Sequence, residues 1–191
     1  MDTNLKGTIF IVDISGYSHF VNETENEMGS LIIAKLLNAI IKANNLSFLI
    51  SEIEGDAILF YQHGPAFPID VILAQFEAML RSFNNEVGLC KSFYPQVEKL
   101  SIKLVVHYGD IGNFSVSGFS KLYGPTVVEA HRLLKNNIGS HTYVLITDEY
   151  RNQQNQKDWN RFGTANQVCE LYDIGKLCYS YYNYPTKAVN F

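Results

Sequence analysis

What the sequence does without narrows the field before any residue is given a role. It holds three cysteines, Cys90, Cys169 and Cys178, an odd number at irregular spacing. No CxxC pair occurs and no Cys-His spacing suits zinc, so a zinc site and a disulfide framework are both set aside. The thiols are expected to be reduced and mostly buried. No Walker-type glycine loop, no G-x-G-x-x-G and no G-x-S-x-G is present, which removes the usual phosphate-loop, dinucleotide and nucleophile-elbow routes. His19, His63, His107, His131 and His141 show no H-E-x-x-H or other ligand spacing. His131, beside Arg132, could line a nucleotide site, but a helix-surface position is expected. No run approaches the roughly 20 apolar residues of a membrane span. Asp2, Lys6 and Gly7 interrupt any early apolar stretch, so no signal peptide is expected and the default location is cytoplasmic. A formal net charge of −4, with no basic residues interleaved among the aromatics, argues against nucleic acid and anionic membrane as partners.

What is present suffices for a core. Apolar residues make up 47% of 191 positions, a length that fits one domain. A single domain is expected over residues 1–191, with a core at 7–150 and an extension at 151–191 that ends in a hairpin. Thr8 to Val12 is a short continuous apolar run that suits a buried strand, closed by Asp13 and the turn signal Ser15-Gly16. From Glu27 to Ala43, Met28, Leu31, Ile32, Leu36, Ile40 and Ala43 recur at helical spacing. Ser47 to Ile53 and Ala57 to Gln62 read as strands joined through Glu54-Gly55-Asp56. A second helix is expected from Ile69 to Glu86 and a strand from Leu100 to His107. Gly109, Gly112 and Gly118 read as turns around a short strand near Phe114. Pro125 opens a helix through Leu134. Tyr143 to Ile146 is a strand, and Thr147 caps a short helix that contains Tyr150. Residues 151–167 read as loop or frayed helix, and Cys169 to Tyr184 as a hairpin around Gly175. This order, β-α-β-β-α-β followed by further elements, predicts an α/β (α+β) fold with a ferredoxin-like core and extra C-terminal strands.

In such a core the first and third strands are central neighbours. Asp13, after the first strand, and Asp56, before the third, can then converge at one end of the sheet. Two carboxylates that meet a nucleotide's phosphates are a common way to hold Mg²⁺. Each acid also suits a plain turn, Asp13 in an Asx turn and Asp56 in a hairpin.

Four segments, in order, resemble the class III adenylate/guanylate cyclases. Ile9–Phe20 (IFIVDISGYSHF) resembles that family's opening strand and D-I-x-G-F, with Tyr17 for Phe. Glu52–Phe60 (EIEGDAILF) resembles its second metal motif. Leu104–Gly112 (LVVHYGDIG) resembles its h-x-G-x-x-x-x-G strand, and Tyr123–Leu133 (YGPTVVEAHRL) its G-x-x-V-N-x-A-x-R-L helix. Together they cover residues 7–135. The resemblance implies that Asp13, Asp56 and the backbone carbonyl of Ile14 hold two Mg²⁺ or Mn²⁺ ions. It implies a purine nucleoside triphosphate as ligand and a head-to-tail homodimer, in which Arg132 of one subunit stabilises the transition state of the other. Glu52 and Lys121 fall at the two base-recognition positions, and Lys176 is a candidate for the triphosphate-binding lysine.

Two departures, at Val128 and Lys121, stand against this. Val128 occupies the position of the family's transition-state asparagine and cannot donate a hydrogen bond. Glu52 resembles the guanylate-type choice. Lys121 is neither the adenylate aspartate nor the guanylate cysteine, which leaves the purine open. Two functions follow from the resemblance: a divergent cyclase that forms a 3′,5′-cyclic nucleotide and pyrophosphate, or an inactive nucleotide-binding or dimerisation module. An RNA-binding ferredoxin-like domain is a third possibility. The missing RNP1 pattern and the acidic balance oppose it.

Overall fold

The structure, a computed structural model, describes residues 5–155 and 166–185. Strand β1 (Leu5–Ser15) leads into α1 (Tyr17–Glu23) and α2 (Asn26–Lys42). The hairpin β2 (Leu49–Glu54) and β3 (Ala57–His63) follows, then α3 (Ile69–Cys90) and a 3₁₀ turn (Pro95–Lys99). Strands β4 (Ser101–Val116) and β5 (Phe119–Tyr123) precede α4 (Pro125–Leu133), β6 (Tyr143–Thr147) and α5 (Asp148–Arg151). The hairpin β7 (Asn166–Tyr172) and β8 (Gly175–Asn183) closes the described chain.

Among the described residues the strands form one sheet in the order β2-β3-β1-β4-β6-β8-β7, with β5 paired to the far end of β4. Its first four strands reproduce the expected ferredoxin-like arrangement. Strand β1 lies between β3 and β4, antiparallel to both. Only β4 and β6 pair in parallel, across the α4 crossover.

Alternation along β1 explains the layering. Phe10, Val12 and Ile14 face α2 and α3, where they meet Ile32, Leu36, Ile40, Phe76, Met79 and Phe83. Ile9 and Ile11 face the other way, toward Val127 and Ala130 of α4. A strand buried on both faces must read as a continuous apolar run, as Thr8–Val12 does.

Several boundaries differ from expectation. Strand β4 does not end at His107 but runs to Val116. Gly109 is no turn: a Cβ there would lie 2.5 Å from Thr126 Oγ1, so it lets the first turn of α4 press onto the strand. The turn comes at Ser117-Gly118, both at positive φ. The helix α3 continues to Cys90, and α1 and the 3₁₀ turn are too short to show a period in sequence. The reading of residues 151–167 falls mostly on 156–165, outside the described residues. The cysteine expectation is corrected as well. Cys90 is a buried free thiol, but Cys169 and Cys178, register partners in the β7–β8 hairpin, are joined by a disulfide. Cross-strand register, invisible in the spacing, brings them together. Among the described residues no helix is long and apolar enough to cross a membrane.

Candidate functional site

The alternation that buries Phe10 and Val12 against α2 and α3 turns Asp13 toward α4. Asp13 sits opposite Ala57 on one side and Lys103 on the other. Asp56 lies in the two-residue turn between β2 and β3. The Ile14 amide donates to the Asp56 carbonyl oxygen at 3.2 Å, which ties that turn to the end of β1. The two acids line one cavity of about 190 Å³ with Ile11, Glu52, Glu54, Leu59, His131 and Leu134. Burial first, and then the neighbouring Asp13, push the Asp56 carboxyl up from 3.8 to about 6.

Lys103 belongs to the same cluster. Its Nζ lies 2.9 Å from Asp13 Oδ2, and both side chains are largely buried. Burial works to lower the ammonium's pKa, but the Asp13 carboxylate outweighs it and holds the pKa above its ordinary value. The signal for Lys103 is its register opposite Asp13, which no single-sequence pattern states. His131 also differs from expectation, because it lines this cavity, with Nε2 3.7 Å from Glu52 Oε1.

The donor set fits a hard divalent cation. Two carboxylates share a partly buried space, and a cation between them would offset the Asp13 repulsion that adds to burial in raising Asp56. Among the described residues no group of three or more His, Cys, Asp or Glu side chains is arranged to hold a metal. The remaining oxygen ligands would therefore have to come from the backbone, water or a bound phosphate.

The two base-position residues also meet. Glu52 lies where the β2–β3 register shifts, and its carboxylate accepts from Lys121 Nζ on β5. Arg132 is directed elsewhere. Its Nη2 donates to Asp173 Oδ2 at 2.7 Å in the β7–β8 turn, and its buried Nε has no hydrogen-bond partner. One turn earlier on α4, Val128 lines a second cavity of about 390 Å³ with Leu122, Tyr123, Pro125, Val127, Glu129 and Ile174. Lys176 is exposed on β8, opposite Leu171, and lines neither cavity.

A buried histidine fixes α4 from below. His107 of β4 is 1% exposed, with Nε2 2.8 Å from Glu129 Oε2 and Nδ1 2.8 Å from Thr147 Oγ1. Thr147 Oγ1 already accepts the Tyr150 N–H. Its hydroxyl proton can therefore go to Nδ1, and Nε2–H to Glu129. One side chain thus joins β4, α4 and the cap of α5.

Residues 33–143 match the model of a family described as "Protein of unknown function (DUF2652)". An uncharacterized protein of Mycobacterium tuberculosis, Rv2561/Rv2562, is 28% identical over 123 residues. That match takes in 61% of this chain and 57% of the relative, so the chain spans little more than half the relative's length. Three solved structures share the fold. The guanylyl cyclase Cya2 superposes with a TM-score of 0.75 at 13% identity, covering 94% of this chain and 92% of that one. The adenylyl cyclase CyaB of P. aeruginosa gives 0.69 at 18% identity, with 97% of each chain covered. A dimeric guanylyl cyclase domain of the RhoGC fusion protein from the aquatic fungus Blastocladiella emersonii gives 0.57 at 17% identity, covering 93% and 95%. Identities this low establish the mixed α+β fold of nucleotidyl cyclase domains and nothing finer.

Proposed function

We propose that this chain, which belongs to the DUF2652 family of proteins of unknown function, is a divergent nucleotidyl cyclase that binds a purine nucleoside triphosphate. The observation that carries this reading is the convergence of Asp13 and Asp56 in one half-buried cavity, on a sheet with the fold of cyclase domains. Asp13, Asp56 and the Ile14 carbonyl would hold Mg²⁺ or Mn²⁺. When bound, such ions supply Lewis-acid charge to the phosphates and the ribose 3′ oxygen. Lys103 places an ammonium beside the same carboxylates and is better sited than Lys176 to steady the triphosphate. Glu52 can only accept and Lys121 can only donate. That pairing complements guanine, whose O6 accepts while its N1–H and N2–H₂ donate.

The site is completed by a second copy. Beyond the main sheet, β4 and β5 form an arm whose register places Phe114, Val116, Phe119, Lys121 and Tyr123 on one face. Phe119 is 75% exposed and Tyr123 67%, while the opposite face carries Asn113, Ser115 and Ser120 with Leu122, which packs against Ile9, Ile11 and Val127. An uncovered two-stranded arm with an apolar face is marginal by itself and marks an interaction surface. A head-to-tail homodimer would cover it and bring Arg132 of one subunit to the phosphates held by Asp13 and Asp56 of the other. There Arg132 would stabilise the charge that develops in transfer.

Val128 favours a second reading, a nucleotide-binding module without turnover, since valine offers no donor to the ribose oxygen. Incubation with Mn²⁺ and GTP or ATP, with cyclic product read by mass spectrometry, separates the two. Product from wild type that is absent from Asp13→Ala supports the enzyme. Nucleotide binding by calorimetry without product supports the module. Equal binding by wild type and Asp13→Ala overturns the metal assignment.

A further inference from the structure

The β7–β8 hairpin is attached to α4 at three points. The Asn137 amide, just past the helix, donates to Glu170 Oε1 at 3.1 Å. Asp173 accepts from Arg132, and Ile174 closes the apolar cavity beside Val128. Glu170 also receives the hydroxyls of Tyr172 and Tyr179 at 2.6 and 2.7 Å. Desolvation acts against its charge, but these donors outweigh it and hold the carboxyl below its ordinary range. The face of the ribbon that carries Glu170 is therefore well anchored.

The other face is not. It carries the Cys169–Cys178 disulfide and, two places on, exposed Leu171 and Lys176. Among the described residues strand β7 is the sheet edge and has β8 as its single neighbour. The tip is held to α4 by an ion pair with side chains 40% and 62% exposed, a class of contact worth little alone. The ribbon's own stiffness must therefore hold Asp173 against Arg132, and the disulfide is the covalent part of that stiffness. Cys169 is exposed, so a thiol has access to the bond.

We propose that Cys169 and Cys178 form a thiol–disulfide exchange site whose oxidised state clamps the β7–β8 tip on α4 and whose reduced state releases it. The reductant is a thiol or dithiol. A thiolate attacks one sulfur, the mixed disulfide resolves with a second thiol, and two electrons and two protons convert the bond into two cysteine thiols while the reductant becomes a disulfide. In the oxidised state Arg132 is occupied by Asp173 of its own chain; in the reduced state its guanidinium is free. The consequence for nucleotide chemistry rests on the function proposed above, whereas the clamp itself does not.

The test therefore needs no nucleotide. Protein treated with oxidised glutathione should show one thiol after denaturation, and three after dithiothreitol. Hydrogen exchange read by mass spectrometry, with and without dithiothreitol, should speed up at least tenfold on reduction in residues 171–176 and in the second half of α4. The Cys169→Ser/Cys178→Ser protein should exchange like the reduced form in either buffer. Asp173→Asn should loosen α4 while the oxidised ribbon stays slow. Three thiols after oxidation would overturn the exchange site. Faster exchange in the ribbon with α4 unchanged would overturn the clamp, even if Mn²⁺-GTP binds as proposed. A redox response in α4 without any nucleotide binding would leave the clamp standing and remove the cyclase reading.

Discussion

Helix α4 separates two cavities of opposite character. On one side His131 and Leu134 help close a space lined by Asp13, Glu52, Glu54 and Asp56. On the other, Val127 and Val128 help line a larger space walled by Leu122, Tyr123, Pro125 and Ile174. The acidic cavity is built on the inner strands and tied by a backbone bond between Ile14 and Asp56. The apolar cavity is built from the projecting arm, a short helix and a hairpin tip. The first is preorganised for charge within one chain. The second is walled mainly by apolar side chains, with the Glu129 carboxylate as its one charged group. The two cavities flank one nine-residue helix, and on the function proposed above the first would hold the cation and the second would lie at the association surface.

The largest effect should come from dividing the two halves between subunits. Asp56→Ala and Arg132→Ala should each abolish turnover, and an equimolar mixture should recover about a quarter of it, as expected for one intact site per mixed dimer. Failure to recover, with wild type active, breaks the division. Next, Val128→Asn should put a donor into the apolar wall and raise the rate of cyclic product formation by roughly 10²-fold. An unchanged rate would mean that wall does not face the reacting ribose.

The acidic half should respond to pH. The fold raises the Asp56 carboxyl to about 6, so below that value a metal must displace a proton. Mn²⁺ affinity, measured by calorimetry, should rise about tenfold per pH unit up to about 6 and then level off. Metal-free stability should move oppositely. The Asp56 contribution is fully present below 3.8 and is lost as pH rises through about 6. The smallest effect concerns what holds α4 between the cavities. Thr147→Ala removes the cap of α5 and a partner of His107, and should cost about 1–2 kcal/mol in thermal unfolding. No loss would place the rigidity of α4 elsewhere.

Much of the acidic half was legible in the sequence. Asp13 and Asp56 each end or begin an apolar strand, and a ferredoxin-like order makes those strands neighbours. The two acids do line one cavity at that end of the sheet, and the facing of Asp13 toward α4 comes from the alternation along β1 that the structure shows. Lys103 and the Cys169–Cys178 bond were not legible, because both depend on which residue stands opposite which across a ladder. His131 had two open readings in the sequence, helix surface or site lining, and the structure favours the second because the polar edge of α4 borders the cavity. Gly109 misled because a glycine that permits close approach looks, in sequence, like one that permits a turn. Arg132 was correctly placed on α4, but its contact with Asp173 spans 41 residues and has no local signature.

The position of β1 also bears on how the chain is made. Its two neighbours come late, β3 ending at His63 and the far end of the β4 pairing at Ile111. Once the run Thr8–Val12 has left the ribosome, its second ladder cannot close until about 100 more residues have followed. At ordinary rates of synthesis that is an interval of roughly 5–20 s. For that time a strand that the finished sheet buries on both faces is exposed or only half paired, and it is there that a nascent-chain chaperone would find its grip.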